Sequence, residues 1–203
     1  MLNFTLIIVA YLLGSISSAI IVCKVSGLPD PRSTGSMNPG ATNVLRIGSK
    51  WHAFFTLLGD LLKGLIPTAL AVFFNFPGWV IALVMLLAFL GHLYPVFFNF
   101  KGGKGVATAI GAVLGLNFLF GLSIVFIWLI VALLFRYSSL GALVAFALGP
   151  FIYLFIFAGQ INILNPIFIS LLAISILIFI KHKDNINNLI NGQEKQIGYK
   201  EKT

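Results

Sequence analysis

Long uncharged stretches alternate with short polar segments along this chain. Met1–Cys23, Gly64–Phe100, Gly105–Phe135 and Tyr137–Ile180 contain no Asp, Glu, Lys or Arg. A helix of about 20 apolar residues crosses the hydrocarbon core of a bilayer. The pattern therefore predicts an all-α integral membrane protein, with one polytopic domain over 1–203. Expected spans are Phe4–Cys23, Ala53–Phe74, Trp79–Phe97, Leu140–Ala158 and Pro166–Ile180, with turns over 75–78 and 159–165. The run Gly105–Phe135 is ambiguous. As one helix it would be about 46 Å long, against a core of about 30 Å. As two it breaks near Gly115–Gly121.

Charge placement separates the two readings. With two helices in that run the chain has seven spans. Every Lys and Arg except Lys63 then falls on one face: Lys24, Arg32, Arg46, Lys50, Lys101, Lys104, Arg136, Lys181, Lys183, Lys195, Lys200 and Lys202. With one helix, Arg136 and the basic tail move to the face opposite the Lys24–Lys50 loop. Basic residues concentrate in cytosolic loops, so the expectation is seven transmembrane helices, N-terminus outside and C-terminus cytosolic. The working loops, about 24–52, 91–108, 136–140 and the tail 181–203, then share the cytosolic side.

Composition agrees. The chain is 59% hydrophobic and only 9% charged, where a soluble domain carries about 25% charged residues. Met1-Leu2-Asn3 lacks the basic start of a secretory signal. Cys23 is the sole cysteine, which excludes an intrachain disulfide and a cysteine metal cluster. The net charge of +8 in so apolar a chain reports topology and anionic substrates rather than nucleic acid.

The loops are richer in Gly, Ser and Asn than connectors require. In the first, Gly35-Ser36-Met37-Asn38-Pro39-Gly40-Ala41-Thr42-Asn43 precedes Arg46. Glycines permit close backbone approach, the polar side chains offer hydrogen bonds, and Arg46 supplies a fork suited to phosphate or carboxylate. In the second, Gly91-His92 precedes Lys101-Gly102-Gly103-Lys104-Gly105, which runs straight into an apolar helix. Glycines before a helix start expose N–H groups to an anion, and the two lysines add full charge. Lys104 is followed by Gly105, so this is not a Walker A loop. The tail begins His182-Lys183-Asp184-Asn185 and continues to Gly192-Gln193-Glu194; a solvated juxtamembrane segment is the plain reading. Asp60 and Lys63 lie within the second span at i, i+3, on one helix face. Ionisable groups inside a membrane tend to pair and to mark function.

Cationic and backbone donors gathered at one rim suit a phosphorylated substrate. A membrane domain without a soluble half suits a lipidic second substrate. An enzyme joining a polar phosphate compound to an acyl chain meets both demands. The loops hold no cysteine and no G-x-S-x-G pattern, which favours direct transfer over a covalent acyl-enzyme. No metal-ligand spacing appears either. A transporter of a phosphorylated solute is the alternative. Transporters often show internal repeats and midplane sites; here the halves show no repeat and the polar motifs sit at one rim.

The segments Gly35–Arg46, Asp60–Gly64, Gly91–Thr108, Arg136–Leu140 and His182–Glu194, in this order, resemble the bacterial acyl-phosphate:glycerol-3-phosphate acyltransferases, the PlsY family. The resemblance implies acyl transfer from acyl phosphate to the 1-hydroxyl of glycerol 3-phosphate. Lysophosphatidate and phosphate are the products, in phospholipid biosynthesis at the bacterial inner membrane. No metal, nucleotide or flavin site is apparent in the sequence, so activity without cofactor or metal is expected, and no obligate protein partner. Under this reading the catalytic candidates are Ser36, Arg46, His92, Lys104, His182 and Asn185. The substrate-binding candidates are Gly35, Asn38, Gly40, Asn43, Lys101, Gly102, Gly103, Gly105, Arg136, Ser139 and Glu194. Arg46, Lys101, Lys104 and Arg136 would neutralise the two phosphates, and Gly102, Gly103 and Gly105 would offer backbone N–H groups. Ser36, Asn38, Asn43 and Ser139 would orient the substrates. Asp60 and Lys63 would support the site from behind.

One departure is that Asn187 and Asn188 stand where the family's tail motif is usually basic. A second acyltransferase type pairs His with an Asp shortly after it. The corresponding positions after His52, His92 and His182 are Leu57, Phe97 and Asn187, so a His–Asp general-base mechanism is not expected. The donor phosphate, His92 or His182 would take the acceptor proton.

Overall fold

The computed structural model describes residues 2–158 and 163–198, so most of the turn expected over 159–165 lies outside the described residues, as do Lys200 and Lys202. Ten α-helices follow in order: α1 Leu2–Gly14, α2 Ser18–Val25, α3 Ala41–Ile47, α4 Lys50–Phe73, α5 Gly78–Leu93, α6 Val106–Leu116, α7 Phe118–Phe135, α8 Ser138–Ile156, α9 Pro166–Lys181 and α10 Lys183–Ile190.

Local chemistry sets most of the boundaries. Ser49 and His52 form a capping box at the start of α4: the Ser49 N–H donates to His52 Nδ1 (3.1 Å), and the Ser49 hydroxyl accepts from the His52 N–H. Asn165 Oδ1 accepts from the N–H groups of Ile167 and Phe168, capping α9. The Gly105–Phe135 run is broken at Asn117, inside the expected window. Asn117 is extended, and its side chain accepts from the Phe120 N–H at 3.0 Å, starting α7.

Two expected spans differ in detail. Phe4–Cys23 is not one straight helix: α1 and α2 meet at 43°. Ser15 and Ser17 flank the bend, and Ser15 Oγ donates back to the Tyr11 carbonyl (2.9 Å), a bond that competes with helix continuation. The third span runs Gly78–Phe98, close to the expected bounds, but its α-helix stops at Leu93, because the residue before Pro95 is driven out of helical geometry; Tyr94 has φ −133° and ψ 67°. A 3₁₀ turn, Val96–Phe98, follows.

Among the described residues, four helices are long and apolar enough to cross a membrane, or six if α1 with α2 and α9 with α10 each count as one bent span. α6 is apolar but short, about 16 Å at 1.5 Å per residue.

The core lies around α5, whose Val80, Val84, Met85, Ala88, Phe89 and Leu93 are all fully buried. Large apolar side chains elsewhere face outward, as on α7, where Phe118, Leu119, Phe126, Leu133 and Leu134 are exposed. An apolar periphery is what a lipid-facing surface requires. Glycines let the helices touch backbone to backbone. A Cβ on Gly64 of α4 would lie 2.0 Å from the Thr108 carbonyl oxygen of α6, and one on Gly111 of α6 2.0 Å from that of Leu61. Gly14 of α1 stands in the same relation to Ala88 of α5, at 2.2 Å. These crossings pin α6, and with it the glycine-rich loop that leads into it.

Candidate active site

The loop before α3 is organised by Asn43. Its Nδ2 donates to the carbonyls of Pro31 and Thr34, both at 2.9 Å, and its Oδ1 accepts from the Ser36 N–H at 2.8 Å. The side chain is fully buried and committed to the loop. Asn43 therefore shapes the segment that presents Ser36, rather than pointing donors at a substrate. Gly35 makes room for it: φ is +66°, and a Cβ there would sit 2.2 Å from Asn43 Oδ1. Ser36 is exposed, Asn38 half-buried, and Gly40 caps α3, which carries Arg46.

The second loop packs against the end of α5. The Gly103 N–H donates to the His92 carbonyl at 3.1 Å. It is taken by the protein, which corrects the expectation that this amide faces an anion. A Cβ on Gly102 would meet the His92 carbonyl oxygen at 2.0 Å, and one on Gly103 would meet His92 Nε2 at 2.3 Å and the Pro39 carbonyl at 3.0 Å. Both glycines thus serve close packing, and the first two loops meet at Gly103. Gly105 has φ +83°, and its Cβ would strike the Phe89 ring. It opens α6, whose first turn has no side-chain cap. The first N–H groups of a helix lack intrahelical partners, and their dipole favours an anion. The first turn of α6 therefore offers what Gly103 does not.

Behind this loop lie the intramembrane charges. Lys63 Nζ is 2.9 Å from Asp60 Oδ1 and donates to the Ile16 carbonyl at the α1–α2 bend (2.7 Å). The expected pair is formed. His92 Nδ1 stands 3.6 Å from the same Asp60 oxygen. A His–carboxylate neighbour therefore exists, assembled across α4 and α5, where no spacing along the chain reveals it.

The tail is not a loose solvated segment. α10 turns by 58° from α9, and its Asn185 Oδ1 accepts from Lys104 Nζ. Asn185 Nδ2 donates to Glu194 Oε1 (2.7 Å), which also accepts from Ser139 Oγ (2.6 Å). The chain then folds back along the rim. The Ile197 N–H donates to the Arg136 carbonyl at 2.8 Å, and Arg46 Nη2 donates to the Lys195 carbonyl at 3.4 Å. Arg136 itself, with φ +62°, makes the corner between α7 and α8. His182 is buried, and its Nδ1 lies 2.8 Å from the Ile178 carbonyl. Because that carbonyl can only accept, Nδ1 carries the proton and a neutral ring keeps its lone pair on Nε2. Lys104 and Glu194 are both within electrostatic reach of the ring.

The α3 end, the glycine loop, the α7–α8 corner and the tail thus converge on one rim. Lys101 is exposed at its edge. Burial pushes the Lys104 ammonium below its usual value, Glu194 and Asp184 oppose that shift, and Arg46 adds to it by repulsion. Lys104 directly precedes the uncapped start of α6, so an anion there would meet both its charge and the helix dipole.

Residues 4–192 match the model of the family described as glycerol-3-phosphate acyltransferase. A protein of that name from Francisella tularensis subsp. holarctica is 52% identical over 201 residues, covering 99% of this chain and 96% of the relative. One from Legionella pneumophila is 50% identical over 195 residues, covering 96% of this chain and 69% of the relative. The crystal structure of PlsY (YgiH), an integral membrane glycerol 3-phosphate acyltransferase, in its glycerol 3-phosphate form is 39% identical. It superimposes with a TM-score of 0.89, over 98% of this chain and 96% of that one. The lysophosphatidic acid form superimposes with a TM-score of 0.87. With its all-helical membrane fold, a family match over nearly the whole chain and these relatives, the chain belongs to the glycerol-3-phosphate acyltransferase family.

Proposed function

We propose that this multi-pass membrane enzyme transfers the acyl group of an acyl phosphate to the 1-hydroxyl of glycerol 3-phosphate. The products are lysophosphatidate and inorganic phosphate, made for phospholipid biosynthesis at the inner membrane. The observation that carries the reading is the gathering on one rim of Lys104, held by Asn185 directly before the uncapped start of α6, and Arg46, which reaches the returning tail at the Lys195 carbonyl. Both substrates bring phosphate to such a rim, and the acyl chain reaches it from the apolar periphery.

In this reading the chain forms a single domain of seven spans, with α6 as the short one. The N-terminus is outside and the rim cytosolic. The break at Asn117 and the gathering of Arg46, Lys104 and Arg136 on one side support it. Arg46, Lys101, Lys104 and Arg136 balance the phosphates. Ser36, Asn38 and Ser139 orient the substrates. The N–H groups of the first turn of α6 face the donor phosphate. The acceptor oxygen attacks the acyl carbon, the bond from that carbon to the phosphate oxygen breaks, and the hydroxyl proton ends on the departing phosphate. It passes there directly or through His182 Nε2. Acyl phosphate is already activated, so positioning and charge balance are the main tasks. No cofactor, metal or protein partner enters these steps.

The test is purified protein in detergent with chelator, palmitoyl phosphate and glycerol 3-phosphate. Phosphate release that requires both substrates and yields lysophosphatidate supports the proposal. Folded protein that binds glycerol 3-phosphate without forming product favours a transporter. If His182 relays the proton, His182→Gln lowers kcat by about 10²–10⁴, and near-normal turnover in that variant leaves the relay to the donor phosphate alone.

A further inference from the structure

Three ionisable side chains are enclosed between α4 and α5: Asp60 is 2% exposed, and Lys63 and His92 are each 7% exposed. Buried charge inside a membrane protein is costly and marks function more often than packing. None of the three lies in the rim where Lys104, Asn185, Glu194 and Ser139 meet. Asp60 nevertheless touches both ends of the glycine loop. At the loop's entry its carboxylate faces His92 Nδ1 at 3.6 Å. At the exit its main-chain carbonyl accepts from Thr108 Oγ1 at 2.9 Å, in the first turn of α6. His92 in turn holds Gly103 twice. Its carbonyl accepts the Gly103 N–H, and its ring lies against the Gly103 backbone so closely that no Cβ would fit. Lys63 fixes the Asp60 carboxylate from the other side and is itself tied to the Ile16 carbonyl.

We infer that Asp60 and Lys63 are positioning residues that act through His92 to set the Gly102–Lys104 backbone, and so control affinity for the substrate phosphate that this loop faces. The inference rests on the acyl-transfer reading for its kinetic side, though not for its structural side. His92, enclosed between Asp60 and Gly103, acts here as a strut rather than as a base. Turning its ring displaces Gly103, and with it the Lys104 ammonium one residue on. The effect belongs to binding more than to the chemical step.

The test compares His92→Gln, Asp60→Asn and the double variant in full-length detergent-purified protein. KM and kcat are measured for each substrate in turn, together with hydrogen–deuterium exchange at the Gly103 amide. Each single variant is expected to raise KM for at least one phosphorylated substrate about tenfold, with kcat changed less than about threefold. Groups that act as one unit are not additive, so the double variant should match the worse single. Exchange at Gly103 should quicken by about tenfold in all three. Multiplying KM effects, an effect confined to kcat, or unchanged exchange would each overturn the inference. Should Asp60→Asn fail to fold, the neutralised pair Asp60→Asn with Lys63→Met carries the same comparison. If the wild-type protein shows no acyl transfer, that reading falls, and the exchange result still decides whether Asp60 and His92 hold the loop.

Discussion

Lys104→Met lowers kcat/KM by about 10³, the loss that follows removal of a charge-stabilising donor from an enclosed site. Lys104 is built into the rim by its neighbours. Asn185 accepts from its ammonium, Glu194 supplies a carboxylate nearby, and burial withdraws it from water. Methionine keeps most of the apolar stem and removes the charge, so the fold should survive with a thermal midpoint near that of the wild type. Activity is read as phosphate release at saturating and limiting concentrations of each substrate. A variant within tenfold of wild type would remove Lys104 from phosphate stabilisation and shift the load to Arg46.

Lys63→Met has the largest expected effect on stability. It leaves the Asp60 carboxylate buried, with His92 at 3.6 Å as its remaining neighbour. Breaking a buried pair by removing one partner costs about 3–5 kcal/mol, while replacing both charges is often near neutral. The single variant should therefore lose a large part of its thermal stability in detergent. Adding Asp60→Asn to it should recover most of that loss. Equal midpoints for the single variant and the wild type would show that the pair contributes nothing to the fold.

The spans were legible because uncharged runs of membrane-crossing length have few other uses. The break at Asn117 was legible because a continuous helix there exceeds the bilayer and scatters the basic residues. The Asp60–Lys63 pair could be read from its i, i+3 spacing, which one helix enforces. Less visible was anything that depends on where two elements meet. Asp60 finds His92 across α4 and α5, and Glu194 finds Ser139 across a separation of 55 residues. Gly102 and Gly103 look like anion donors in isolation, yet the His92 carbonyl claims the Gly103 amide and crowds a Cβ on Gly102, and the His92 ring crowds one on Gly103. The α1–α2 bend rests on the Ser15 hydroxyl and a distant lysine, which apolarity alone does not weigh. The tail reads as solvated because its charges and asparagines are ordinary; only the rim gives Asn185 and Glu194 their partners.

That tail has a consequence for synthesis. Asn185, Glu194 and Ile197 all follow helices α4 to α9 in the chain, and they reach back to Lys104, Ser139 and Arg136. While a ribosome is still feeding the helices into the bilayer, Lys104 has no amide partner and the α7–α8 corner is open. Nascent chains stalled before Asn185 are inserted yet incomplete at the rim. The order of synthesis thus delays the finished site until the helices that surround it are in the membrane.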